Sequence, residues 1–544
     1  MTIKAWHTAS VRRIGFIVAT FLVVFAAMTS TAAAEAPRLN VLMIAVDDLK
    51  PALGAYGDPH AVTPNIDRLA ARGTVFARAY CQQAVCAPSR VSMLTGLRPD
   101  TTRVWDLSTR FRPNLPGVVT LPQAFRQAGW HSVGIGKVFD FRSVDGPNAG
   151  DAMSWSEPFL NPDYPSRSTY GFADPATIEK LERRIAELGG PEAMPSRWIP
   201  RTRAAFGGRG RPPVERADVP DNAYRDGVLA DTAVAKLHEL AADRSEPFFL
   251  AVGLLKPHLP FNAPERYWAM YDPETLPTPK RDTPPLGAPD YATHRGGEIR
   301  SGYNVPPDGP LPAELSRELV HGYYACVSFI DAQVGRLLDA IDEAGVADET
   351  IVVFWGDHGF HLGDLGVWCK HTNYEQATRV PLIVVAPDHP GGKVAESPVE
   401  LVDVYPTLLD LAGVPAPHDL HGVSLRAMLA DAQASVKPVA VSQYPRGSRS
   451  RNEVRMGYAF RDAHHRLVLW RPFDHRAGVV DDRVETVELY DYRVDPAEAR
   501  NLAEDPAYAD ARARLESQAA EYFARFPVEG RWADPREEPV RETP

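Results

Sequence analysis

Cys86-Ala-Pro-Ser-Arg-Val-Ser-Met-Leu-Thr-Gly96 is the stretch of the chain densest in potential chemistry. Pro88 fixes its own backbone and lacks an N–H donor, which suits the first turn of a helix. Ser89 to Leu94 continue as helix and Gly96 can end it. Cys86 then stands at a helix N-terminus, with Arg90 one turn on. Backbone N–H groups, the positive end of the dipole and a guanidinium converge on one small anion. A nucleophile placed there would face a sulfate or phosphate group.

Other charged residues follow short apolar runs. Leu39 to Val46, LNVLMIAV, has the length and continuity of a strand buried on both faces, and Asp47 and Asp48 come directly after it. Ligands of open α/β sheets gather at such strand ends. Paired carboxylates there can begin a divalent-cation site with oxygen ligands, or can cap a turn or helix. Trp130 to Ile135 reads as a second strand, ending in Gly136-Lys137. Pro247 to Leu254 is a third and leads into Lys256-Pro-His258-Leu-Pro260, where two prolines hold His258 in an extended loop suited to proton transfer. Thr350 to Trp355 is a fourth, followed by Gly356-Asp357-His358-Gly359. Lys370 comes soon after and offers, with Lys137, a second cation for an anion. Taken singly, His258 can also be structural and Lys137 a solvated surface residue.

Cys86-x-Pro-Ser-Arg90 followed by Leu94-Thr-Gly96 resembles the signature of the type I sulfatases. The likeness continues through Val46-Asp-Asp-Leu49, Gln82 to Leu94, Arg98-Pro-Asp-Thr-Thr-Arg103, Gly136-Lys-Val-Phe139, Lys256-Pro-His258, Asp331-x-Gln-Val-Gly-Arg-Leu337, Asp357-His-Gly359 and Ser442-Gln-Tyr-Pro445. Within the family it is greatest to the iduronate-2-sulfatase subfamily. The resemblance implies an alkaline-phosphatase-like α/β sandwich, a large mixed sheet between helices, with a smaller C-terminal α+β domain built on an antiparallel sheet. It implies a sulfuric ester hydrolase acting on a sulfated carbohydrate. Cys86 would be converted by a maturase to Cα-formylglycine, whose hydrated aldehyde is the nucleophile. One calcium ion would be held by Asp47, Asp48, Asp357, His358 and the modified Cys86. Arg90, Lys137, His258 and Lys370 would hold the formylglycine and the sulfate. One position departs from the pattern: the family usually places a histidine where this chain has Asp140. Asp140 could serve as base in its place, or mark a different substrate contact.

Length and composition are compatible with this. The chain has 544 residues, room for one large α/β domain and a smaller one, without low-complexity runs. Its formal charge of −11 argues against a nucleic-acid partner. A local basic pocket can still receive an anionic substrate. Cys81, Cys86, Cys326 and Cys369 are too few for a disulfide scaffold, though Cys81 and Cys86 are close enough in sequence to pair. Residues 1–34 read as an export signal, with Lys4, Arg12 and Arg13 before the apolar run Gly15 to Met28 and small residues near Ala34. That run is short for a membrane span, so no stable membrane association is expected. The expected location is periplasmic or secreted, in a bacterium, since no Asn-x-Ser/Thr acceptor occurs.

The catalytic domain is expected over 35–435 and the C-terminal subdomain over 436–544. Segments 141–225 and 272–312 read as irregular insertions at the pocket mouth, where specificity would lie. Helices are expected over 226–240, 314–344, 401–411 and 505–526. Short antiparallel strands are expected after about 439, with a loose final dozen residues. Two other functions fit parts of the pattern: a phosphoester hydrolase on the same scaffold, and a sulfated-glycan-binding protein that has lost turnover.

Overall fold

Asn40–Val46 (β1) is buried along its whole length, and its side chains divide by parity. Leu42, Ile44 and Val46 enter one hydrophobic core; Val41, Met43 and Ala45 enter another on the opposite face. A strand between two cores has no polar face, which is why its sequence reads as a continuous apolar run. The computed structural model describes residues 38–146, 150–195, 198–294, 296–448 and 453–528. The expected export signal and the final dozen residues lie outside the described residues.

The other strands of the main sheet are Thr74–Phe76 (β2), His131–Gly136 (β3), Phe248–Leu254 (β4), Thr350–Gly356 (β5), Leu382–Val385 (β6) and Lys393–Ala395 (β7). They lie in the order β7–β2–β6–β5–β1–β4–β3. β3, β4, β1 and β5 are mutually parallel, whereas β6 runs antiparallel to β5, so the sheet is mixed. In this register Val46 lies opposite both Leu254 and Gly356, and Gly136 lies opposite Gly253. Four parallel strands thus end level, and the residues that follow them emerge at one edge.

Helices cover both faces. Pro64–Arg72 (α1), Arg225–Ala242 (α3) and the long Ala313–Glu343 (α5) pack on the first core, through residues such as Ile66, Leu237 and Leu337. Cys86–Thr95 (α2) and Val404–Ala412 (α6) pack on the second through Val91, Leu94 and Leu408. A short helix, Gly297–Gly302 (α4), lies in the Pro-rich segment before α5.

Ala440–Ser448 (β8), Glu453–Arg461 (β9), His465–Asp474 (β10) and Thr486–Asp491 (β11) form an antiparallel sheet. Ala509–Arg525 (α7) covers it, with Leu515, Ala519 and Tyr522 against Tyr458, Phe460 and Leu467. β8 also braces the run into α2: the Ser442 hydroxyl donates to the Cys81 carbonyl at 2.6 Å and Gln443 N–H to the Gln82 carbonyl at 2.7 Å.

Segment 141–225 is more ordered than its sequence suggests. It carries helices over Pro175–Glu187 and Trp198–Ala205 and a small core of Tyr170, Phe172, Leu181, Met194 and Ala205. The first helix has a start signal, since the Asp174 side chain accepts from Thr177 N–H at 2.8 Å with Pro175 behind it. Only Leu181 of that helix is buried, so apolar periodicity is weak.

Candidate active site

Cys86 is the first residue of α2, and all ten residues of the helix are buried. Pro88 sits in its first turn and Gly96 ends it in the left-handed conformation at φ 70°. The helix is pinned to the end of β5, because the Ser89 hydroxyl donates to the Asp357 carbonyl at 2.5 Å. All four cysteines are free thiols.

The carboxylates arrive from the level strand ends. Asp47 and Asp48 follow β1 and Asp357 follows β5. Asp48 adopts φ 61°, a left-handed conformation that costs a non-glycine residue energy and turns the chain sharply away from the strand. Both oxygens of Asp357 are engaged: Oδ1 accepts from Asp48 N–H at 3.0 Å and His358 N–H at 2.9 Å, and Oδ2 from Arg90 Nε at 2.8 Å. Arg90 has no exposed surface. Its Nη2 donates to Asp47 Oδ1 at 3.2 Å, and its Nη1 to the carbonyls of Lys137 and Val138. One guanidinium therefore joins β1, β5 and the turn after β3.

Asp47, Asp48, Cys86 and His358 each present one donor atom, all within 4.8 Å of one another, and all four residues are buried. His358 Nε2 lies 3.3 Å from Cys86 Sγ and 3.3 Å from Asp48 Oδ1, while Nδ1 faces the Gly359 carbonyl at 3.0 Å. A neutral ring that donates from Nδ1 turns an acceptor nitrogen toward a carboxylate and a sulfur, an arrangement that a cation resolves. Two carboxylates and one imidazole fit a divalent ion. Replacing the thiol by an oxygen donor would shift the set toward the oxygen-rich coordination that calcium prefers.

Two lysines close the site from opposite sides. Lys137 Nζ donates to Asp47 Oδ2 at 2.6 Å, and Lys370 Nζ to both oxygens of Asp48 at 2.9 and 2.7 Å. Burial lowers the affinity of both amines for a proton, but Asp47 for Lys137 and Asp48 for Lys370 outweigh it, so both pKa values lie above the ordinary lysine value. Burial pushes Asp47 up; Lys137, His258 and Arg90 together hold it well below the usual range. The Cys86 thiol moves the other way, pushed well up by burial and then by Asp47. Burial, with Asp47 beside it, thus makes the unmodified Cys86 a poor thiolate at neutral pH, in contrast to reactive cysteines with an accessible thiolate.

His258 sits beside Lys370 through a residue that the sequence did not single out. Glu298, on α4, places Oε2 3.1 Å from Lys370 Nζ and Oε1 3.4 Å from His258 Nε2. His258 Nδ1 faces the Leu259 carbonyl at 2.7 Å and must donate to it, so the ring presents a proton on Nε2 toward the site only when it is doubly protonated. Burial pushes Glu298 up, but Lys370, His258 and His371 hold its pKa well below the usual range. Nothing in the Gly296-Gly-Glu298 sequence signals this role, which arises from the way α4 lies over the Lys370 loop.

Asp47, Cys86, Lys137, His258 and Lys370 line a cavity of about 920 Å3. Asp48, Arg90, Asp357 and His358 stand behind them. All nine residues expected from the sequence therefore meet in one place. Segment 141–225 also lines the cavity, through Arg142, Tyr164, Arg211 and Arg225 among others.

The family model described as Sulfatase matches residues 39–414, and a second, N-sulphoglucosamine sulphohydrolase, C-terminal, matches 363–524. The chain belongs to the sulfatase family. It is thus a sulfuric ester hydrolase with the alkaline-phosphatase-like fold of that family. Human iduronate 2-sulfatase is 32% identical over 536 residues, covering 87% of this chain and 92% of the relative. A Delta 4,5-hexuronate-2-O-sulfatase of Bacteroides thetaiotaomicron is 27% identical, covering 92% of each chain. Among solved structures, the phosphonate monoester hydrolase of Silicibacter pomeroyi superposes with a TM-score of 0.66 at 26% identity, over 90% of this sulfatase and 96% of that chain.

Proposed function

We propose that this sulfatase removes the 2-O-sulfate from a uronate residue of a sulfated glycan, using Cys86 as Cα-formylglycine and one calcium ion held by Asp47, Asp48, Asp357, His358 and the modified residue. The observation that carries the reading is the position of Cys86: at a helix N-terminus on the cavity wall, as one member of a four-donor cluster whose two carboxylates are each paired to a lysine. The names of the two sequence relatives supply the substrate class.

Bound there, the cation would polarise the sulfate oxygens, and the hydrated aldehyde would supply the attacking hydroxyl. The chain's own residues do the rest. Lys137 and Lys370 offset charge on the sulfuryl oxygens as it develops. Arg90, locked by four acceptors, holds Asp47 and Asp357 in fixed positions, so little reorganisation accompanies the reaction. His258 donates the proton on Nε2 to the departing alcohol, and Glu298 aligns that ring with Lys370. Residues 1–34 would direct the chain to the periplasm or outside the cell, with a formylglycine-generating enzyme as its transient partner.

The test is sulfate release from a panel of sulfated glycosaminoglycan oligosaccharides, with calcium, by wild type and Cys86→Ala. Release by wild type alone is the expected outcome, together with a Cys86 peptide whose mass shows the aldehyde. Wild-type activity in Cys86→Ala would refute the covalent scheme. Release of phosphate or phosphonate ester products in place of sulfate would favour the hydrolase that this fold also supports. Binding without release by a converted enzyme would leave a glycan-binding protein.

A further inference from the structure

Asp140 and Arg142 occupy the point where the chain departs from the family pattern, and they form one unit. Asp140 has no exposed surface. Its Oδ1 accepts from Arg142 N–H at 3.0 Å and Arg142 Nε at 2.8 Å, and its Oδ2 from Arg142 Nη2 at 2.7 Å. The Ser143 hydroxyl donates to the Asp140 carbonyl at 2.8 Å and fixes the turn. A carboxylate clamped in this way is a charged anchor, not a base waiting for a proton.

The anchoring uses one edge of the guanidinium. The other edge, Nη1 with the second N–H of Nη2, has no hydrogen-bond partner among the described residues, and 35% of the side chain remains exposed on the cavity wall. A planar fork held at one edge and open at the other is pre-organised for a second carboxylate. Phe141, 48% exposed, lines the cavity beside it, with the Arg142 guanidinium 5.4 Å from its ring centroid. The pair offers a flat apolar face and a cation together, as a charged sugar ring requires. The position of Asp140 places this fork relative to the scissile group: its Oδ2 also lies 3.6 Å from Lys137 Nζ. Lys137 Nζ and Arg142 Nη2 therefore approach the same carboxylate oxygen, which keeps the two cations close enough together to reach one sugar ring.

We propose that Arg142 receives the carboxylate of the sugar ring that carries the scissile sulfate, with Asp140 as its positioning residue. This assignment rests on the uronate reading above. It gives the aspartate in place of the family's histidine a role in substrate selection.

The test is calorimetric binding in a Cys86→Ala background, which separates recognition from turnover. The ligands are a 2-O-sulfated hexuronate disaccharide, the same disaccharide with its carboxylate reduced to the alcohol, and one lacking the sulfate on the neighbouring sugar. Arg142→Gln is expected to weaken binding of the carboxylated ligand by roughly tenfold to a hundredfold, the range of a charged hydrogen-bonded pair. Reducing the ligand's carboxylate should cost the parent protein the same factor and cost Arg142→Gln nothing further. Arg142→Lys should retain part of the affinity. Equal weakening for all ligands, no discrimination or no binding by the parent, or a loss that follows the neighbouring sugar's sulfate would overturn the assignment. The reduced ligand keeps the test independent of any folding defect in the variants. The expected binding pattern without sulfate release by the unsubstituted chain would refute the catalytic reading alone.

Discussion

Asp140→Asn separates the two roles open to that residue, base or anchor. Burial pushes the Asp140 pKa up, but the Arg142 hydrogen bonds and the Lys137 and Arg142 charges outweigh it and hold the group at about 2, against an ordinary 3.8. At about 1.4 kcal/mol per pKa unit, the pairing contributes about 2 kcal/mol to stability at neutral pH. The folded-state value is the depressed one. The contribution is therefore complete above the unfolded value and is lost as pH falls through the folded value. At pH 3, roughly midway between the two, about 1 kcal/mol remains. Asparagine keeps the size and an acceptor oxygen but removes the charge. Urea unfolding of wild type and Asp140→Asn should thus differ by about 2 kcal/mol at pH 7 and by about 1 kcal/mol at pH 3. The same variant reports on catalysis. A general base would lose about 10²–10⁴ in kcat, whereas loosening an anchored arginine falls mainly on KM for carboxylated substrates. An unfolding difference that does not change with pH would refute the charge origin, and a hundredfold fall in kcat with KM intact would refute the anchoring role.

Glu298→Gln removes the charge between Lys370 and His258 but leaves Lys370 on Asp48. We expect kcat to fall by roughly tenfold or more with little change in thermal stability, as for a mispositioned proton donor; unchanged kcat would remove Glu298 from the mechanism. Arg98→Met breaks the bidentate pair to Glu400, at 2.7 and 2.8 Å, and the stacking of Arg98 on Tyr522 and Phe526. Because Lys437 still faces Glu400, the cost should lie near the lower end of the range for broken buried pairs, about 3 kcal/mol in urea unfolding, and a loss under about 1 kcal/mol would show the network to be slack. Calcium at a hundredfold excess over its dissociation constant should stabilise the fold by about 2.7 kcal/mol in thermal unfolding. Asp48→Asn should blunt that response, and a shift of equal size in the variant would place the ion elsewhere.

Residues at strand ends were legible because two patterns coincide there. The apolar runs before Asp47, Lys137 and Asp357 mark strands buried on both faces, and parallel register then levels their ends. The family likeness supplied the metal role of His358, while from the residues alone Lys370 was readable only as a further cation to go with Lys137. Glu298 was not legible: it lies in a Pro-rich stretch without periodicity, and its role comes from a short helix, α4, packed over the Lys370 loop. Arg142 was hidden for a related reason, since its meaning depends on which edge of the guanidinium Asp140 occupies. Arg98 shows the converse. Its motif drew attention near the nucleophile, yet its side chain holds Glu400 and the C-terminal helix. The helices in 141–225 escaped because their core is small and the first of them buries Leu181 alone, so burial left little periodic trace.

The full burial of Cys86–Thr95 sets an order of events in the life of the chain. Cys86 retains 1% of its surface and Arg90 none; the segment is held by the ends of β1 and β5, and the run that leads into it by β8. An enzyme that reads this stretch as an extended peptide has no access once the sheet has paired. If Cys86 is converted as proposed, the window for that modification would close with folding, and would do so late, because Asp357 and the Ser442 contact are supplied by residues made more than two hundred positions after it. A chain that folded first would then be trapped as a thiol, with an intact cavity. On that proposal, preparations of this protein should contain two folded populations whose unfolding curves coincide without calcium and separate with it, in a ratio fixed during synthesis and unchanged by later incubation with a formylglycine-generating enzyme.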